Sequence, residues 1–167
     1  MQTFLSEDTF ESSARALDSK RLNKQSLEGR QMLNALAGNQ KGFVNHPATK
    51  MWKGYEGSLV TYLYEVGKEA VNRGIKTEAN WQAICDIASD NDWSMNKVVP
   101  PWWSDHWASN RIITTHRASL YAKDPEHYVG YELEYYLVDS NPLDWVCCPT
   151  RRQGQPCGYY WPTHQED

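Results

Sequence analysis

Between Leu17 and Leu33 the chain reads LDSKRLNKQSLEGRQML, with one glutamate, Glu28, among the cations Lys20, Arg21, Lys24 and Arg30. A carboxylate in that company has two uses. It can answer Lys24 one helical turn earlier as a surface ion pair, which in this orientation contributes only about 0.2–0.5 kcal/mol. It can instead face a group that turns positive during a reaction, where a fixed negative charge lowers the barrier. On a helical wheel Arg21, Lys24, Gln25 and Glu28 share a face bordering the apolar stripe. That rim position leaves both uses open.

Two further clusters carry chemistry. In VNHPATKMWKGYE, His46 stands just before a helix start, with Trp52 and Lys53 inside the helix. A histidine there either meets an anion or base, or caps the helix. From Pro100 to Tyr128, three Trp and three His interleave with Arg111, Arg117 and Lys123. That mixture suits stacking on bases with phosphate neutralisation, and equally a core in which Trp plugs a proline turn. Cys147, Cys148, Cys157 and His164 lack the usual C-x2–4-C spacing, so no structural zinc is expected. GNQKG lacks the Lys-Ser/Thr end of a phosphate loop. No cofactor is implied.

Helices must position these groups. Asp18 is a plausible N-cap, and Leu22, Ser26, Gly29, Leu33 and Leu36 recur at the helical period, with Gly38 as the stop. The small residues at 26 and 29 would let another helix approach closely. A second helix is predicted from about Pro47 to Arg73 with Gly74 as its stop, weakened locally by glycines at 54, 57 and 67. TEANWQAICDIA is helical by pattern, VVPPWW breaks the chain, and a further helix is predicted from Ser109 to Ala122. KDPEHY reads as a turn, and YELEYYLV as helix or strand. The expectation is an all-α fold: a compact single-domain helical bundle with a loop-rich C-terminal tail, divided into a core at 1–130 and an extension at 131–167 packed on it.

The totals agree with an ordinary globular chain of 167 residues, 40% hydrophobic and 23% charged. Net charge is −4, yet residues 1–76 carry 11 Lys and Arg against 8 Asp and Glu, and residues 77–167 carry 6 against 13. The overall balance argues against a strongly basic nonspecific nucleic-acid binder and leaves room for a local basic footprint. No apolar run approaches a membrane span and no leader pattern opens the chain, so a cytoplasmic protein with reduced thiols, away from membranes, is expected.

LDSKRLNKQSLEGRQML, NHPATKMWKGYEGSLVTYLYEVGKEAVNRG and PPWW…THRASLYAKDPEHY together resemble the pyrimidine-dimer DNA glycosylases, the family of phage endonuclease V, over residues 1 to about 128. The likeness is nearest to a bacterial and phage branch marked by LD-x-KRL-x-KQ and KDPEHY. It implies a helical domain whose extreme N-terminus threads between helices, placing a terminal α-amine beside a catalytic glutamate. The glutamate falls on Glu28 and the amine on Met1, which the bulky Gln2 would keep in place. A family histidine falls on Arg21, and the family's arginines fall on Leu27 and Gln31, so Lys20, Arg21 and Lys24 would contact phosphates instead. His46 takes the place of a family histidine, and the C-terminal aromatic and basic cluster falls near His127 and Tyr128, with His116, Arg117 and Lys123 as further DNA contacts. The implied function is a DNA glycosylase, with an abasic-site lyase step available to it, acting as a monomer on double-stranded DNA with a damaged or modified pyrimidine. Two alternatives stay open: a noncatalytic module that binds such DNA, and a protein-interaction fold that has lost nucleic-acid binding.

Overall fold

The computed structural model describes residues 2–95, 98–145 and 158–162. The regular structure among these residues is helical, with no strand, as the all-α expectation required. The chain divides into two compact units, Met1–Pro100 and Pro101–Asp167. No helix among the described residues is long and apolar enough to cross a membrane.

The first unit opens with an extended segment, residues 2–6, that is buried throughout. Helix α1 (Phe10–Ala16) follows a capping box: Thr9 Oγ1 accepts the Ser12 amide at 3.0 Å while Ser12 Oγ accepts the Thr9 amide at 3.3 Å. Helix α2 (Ser19–Leu36) starts where Asp18 predicted, its carboxylate accepting the Lys20 and Arg21 amides at 3.0 Å each. It ends at Gly38, where the Asn39 amide returns to the Asn34 carbonyl at 2.9 Å. Leu22, Ser26, Gly29 and Leu33 are buried, as their spacing implied, and Leu36 is half-buried.

The helix predicted over 47–73 is two helices. His46 and Pro47 start α3 (Pro47–Lys50), and α4 (Glu56–Asn72) begins afresh after a turn. The break lies at Gly54, whose φ of +85° belongs to the left-handed region that only glycine enters easily, and Glu56 Oε1 closes the turn by accepting the Gly54 amide at 2.8 Å. At its far end α4 stops at Gly74 as expected. Helix α5 (Glu78–Asp90) buries Ile84, Ile87 and Ala88.

Helix α4 packs on α1, α2 and α5. It meets α2 tightly at Gly29, where an added Cβ would lie 2.1 Å from Leu63 Cδ2. The small residue the sequence flagged is thus what lets the two helices meet.

The second unit holds α6 (Pro101–Ser104), α7 (His106–Lys123), a 3-10 turn at Val129–Tyr131, α8 (Glu132–Ser140) and α9 (Pro142–Trp145). Helix α7 begins three residues before the predicted Ser109, because Asp105 caps it by accepting the Trp107 and Ala108 amides at 2.8 and 2.9 Å. YELEYYLV resolves as helix. Helices α7 and α8 meet around the fully buried Ala118 and Val138, and Tyr135 and Trp145 pack against them.

Candidate active site

The polar face of α2 meets the extended segment. Glu28 is 9% exposed, and its Oε2 accepts the Gln2 backbone amide at 3.1 Å. Its other oxygen stands 3.6 Å from Lys24 Nζ, and the Lys24 side chain is 68% exposed. The two oxygens of this carboxylate thus look in different directions, Oε1 towards the surface cation and Oε2 towards the Gln2 backbone. Met1 itself lies outside the described residues.

Side chains, rather than a neighbouring strand, satisfy the extended segment. Gln25 Nε2 donates to the Gln2 carbonyl at 2.8 Å and approaches Glu28 Oε2 at 3.4 Å. Gln25 Oε1 accepts the Phe4 amide at 3.0 Å. The Tyr62 hydroxyl, from α4, lies 2.8 Å from Gln25 Oε1 and 3.1 Å from the Phe4 carbonyl, so its one proton serves either oxygen. Burial pushes the Tyr62 phenol well above its ordinary range, against the pull of its backbone hydrogen bond, and it stays a donor. Trp52 Nε1 donates to Thr3 Oγ1 at 3.0 Å. Buried polar groups require such partners.

His46 is half-buried and caps α3, its Nδ1 accepting the Ala48 amide at 3.1 Å. An acceptor at Nδ1 leaves the proton of the neutral ring on Nε2. Burial lowers the His46 pKa below 6.5, the charge of the chain's terminal amine adds to that, and Glu28 opposes both. The imidazole therefore belongs to the electrostatic neighbourhood of Glu28 and is neutral near pH 7.

The basic residues around this face differ in availability. Lys20 and Lys24 are exposed, whereas Arg21 is half-buried and bonded to Asp18 Oδ2 at 2.5 Å. The remaining predicted contacts belong to the second unit. His116 is fully buried, edge-on to Tyr159 at 5.6 Å, and Tyr128 is 3% exposed and stacked on Tyr131. Arg117 pairs with Glu134 at 2.9 Å and lies 5.2 Å from the Tyr131 ring centre. Lys123 is exposed and donates to the Tyr159 hydroxyl at 3.2 Å, and His127 is exposed beside Tyr128.

Tyr62 and Thr3 had no role in the sequence reading, which placed Gln25 on the Glu28 face and Trp52 after His46 without giving either a task at the start of the chain. Gln25 could have been found, since it lies three residues before Glu28 on the same face. Cys147, Cys148, Cys157 and His164 lie outside the described residues, and among the described residues no group of three His, Cys, Asp or Glu is placed to hold a metal ion.

Residues 1–83 match the model of a family described as pyrimidine dimer DNA glycosylase. The match stays within the first unit and includes Glu28, Gln25, His46 and Tyr62. No curated protein and no solved structure matches the chain.

Proposed function

We propose, from the match of residues 1–83 to the pyrimidine dimer DNA glycosylase family, that the chain excises a damaged or modified pyrimidine from duplex DNA, with Glu28 as the catalytic carboxylate and the terminal α-amine as nucleophile. The observation that carries this reading is the 3.1 Å bond from the Gln2 amide to buried Glu28, which brings the beginning of the chain to a fixed negative charge.

In the proposed reaction the bond between deoxyribose C1′ and the base nitrogen breaks, and the base leaves with the electron pair. Positive charge grows on the sugar, and Glu28 opposes it. The neutral amine attacks C1′, loses a proton and, as the sugar ring opens, forms an imine. Loss of a proton from C2′ then expels the 3′ phosphate, which is the lyase step. An α-amine suits this work because its ordinary pKa of about 7.7–8.0 leaves a useful neutral fraction near pH 7, whereas a lysine at about 10.4 does not. Lys20, Arg21 and Lys24 hold phosphates on the basic face, and neutral His46 offers its Nε2–H to a phosphate or sugar oxygen. In the second unit, exposed Lys123 and His127 are available to DNA phosphates, while His116 packs on Tyr159, and Tyr128 and Arg117 pack on Tyr131.

A second reading draws on the same bond. The nitrogen against Glu28 is an amide, and the amine of Met1 lies one residue upstream, a step of at most about 3.5 Å. Noncatalytic binding of damaged DNA follows if that step spoils the line of attack.

Borohydride trapping on duplexes with dimers, modified pyrimidines or abasic sites separates the two. The enzyme reading expects a covalent adduct at the terminal residue, identified by mass spectrometry, and a loss of turnover of at least about 100-fold in Glu28→Gln with DNA binding retained. Full activity in Glu28→Gln would remove the catalytic assignment. Salt-dependent binding without any adduct or base release would establish the second reading.

A further inference from the structure

We propose that Gln25 is the positioning residue of this site, its carboxamide holding the extended segment so that the start of the chain meets Glu28. The inference rests on the glycosylase reading above and adds to it how the nucleophile is aimed.

The side chain is 2% exposed, and each polar atom of its carboxamide is engaged. Oε1 receives the Phe4 amide at 3.0 Å, and Nε2 gives to the Gln2 carbonyl at 2.8 Å. Accepting from one residue and donating to the residue two before it is what a single residue of a parallel strand does for its neighbour. Gln25 thus replaces a strand that this all-helical unit lacks. Its second Nε2 contact, to Glu28 Oε2 at 3.4 Å, ties the segment and the carboxylate to the same group. The Phe4 amide can only donate and the Gln2 carbonyl can only accept, so these two together fix which end of the carboxamide is oxygen.

The task is specific to glutamine. Asparagine is one methylene too short to span from α2 to both backbone groups. Glutamate has the right shape but no donor for the Gln2 carbonyl, and it sets a second carboxylate beside Glu28. The titratable groups around that pair are Lys24 on α2, Tyr62 on α4, His46 before α3 and the terminal amine.

The test uses the full chain with Gln25→Ala, Gln25→Asn and Gln25→Glu, each checked for a cooperative melt. The first measurement needs no activity: acetylation of the terminal amine by acetic anhydride as a function of pH, read by mass spectrometry. The expected native profile lies above that of an unstructured peptide, about 7.7–8.0, because the Glu28 carboxylate bonds the residue next to the amine. In Gln25→Ala and Gln25→Asn the profile falls to the peptide's. The second measurement is borohydride trapping on an abasic duplex at saturating DNA. The rate falls at least about 10-fold while half-saturation by DNA stays unchanged, because geometry and not binding is lost. In Gln25→Glu, which keeps the native shape where the smaller variants fail to melt cooperatively, the acid limb of trapping moves to higher pH as two carboxylates share one proton. An acetylation profile in the Gln25 variants identical to the native one overturns the proposal. Should the native protein trap no duplex while the acetylation profile still shifts, the glycosylase reading fails and the positioning role stands.

Discussion

Replacing Gly29 by alanine tests the joint that sets the site's geometry. A Cβ at residue 29 would stand 2.1 Å from Leu63 Cδ2, 2.7 Å from Cδ1 and 2.9 Å from Cγ, all far inside the contact distance of about 3.5–4.0 Å. Leu63 is 1% exposed, so it cannot relieve the clash by turning into solvent. Alanine is favoured over glycine within a helix by about 1 kcal/mol, and overpacking of a filled core costs about 1–3 kcal/mol or more. With three Leu63 atoms in the way, the upper end applies, and we expect a net loss of about 1–2 kcal/mol. For a chain of this size that lowers Tm by roughly 2–8 °C. The assay is urea unfolding followed by tryptophan fluorescence, run as a double-mutant cycle. Leu63→Ala alone should cost about 2–5 kcal/mol. In that background the obstruction is gone, so Gly29→Ala should become stabilising by up to about 1 kcal/mol, reversing its sign. Gly29 adjoins Glu28 and Leu63 adjoins Tyr62, so the single alanine variant should also slow turnover. A Gly29→Ala protein more stable than the native one would show that α2 and α4 separate freely, and would refute the tight joint.

Two further outcomes are expected. If Lys20, Arg21 and Lys24 each neutralise a phosphate, alanine at any one should reduce the log-log salt slope of DNA binding by roughly 0.9, and an unchanged slope removes that residue from the interface. His46 has a folded pKa below its ordinary 6.5, so the unfolded chain binds more protons in the window between the two, and stability is full above 6.5 and declines as pH falls through that window. His46→Asn, which keeps an acceptor for the Ala48 amide, should flatten this decline in urea melts at successive pH values; a slope equal to the native one would sink the argument.

The helix ends that the sequence disclosed are those written in a single local signal. Asp18, Gly38 and Gly74 act on their own turn, and each sits where it was expected. The break before α4 escaped because Met51, Tyr55 and Leu59 keep the helical spacing across it, and periodicity does not register a left-handed glycine. Helix α1 was missed because seven residues carry too little pattern, although Thr9 and Ser12 spell its capping box. In the site, the shared face of Gln25 and Glu28 follows from a spacing of three. Their partners do not follow, since the segment that fills the face is bonded across 23 residues at Gln25 and across 58 at Tyr62. The buried His116 shows a related blindness: interleaved cations and aromatics look alike whether they line a surface or pack against one another.

Those separations also order events during synthesis. Residues 2–6 leave the ribosome before Gln25, Glu28, Trp52 and Tyr62, whose side chains hold them. At about 5–20 residues per second, the delay between Phe4 and Tyr62 is roughly 3–12 s. Throughout that interval the segment lacks the side chains that bury it and is exposed to enzymes near the exit tunnel. Once α4 closes over it, the same residues are buried. Enzymes that need residues 2–6 in extended, unpartnered form therefore reach them only in that brief period of translation.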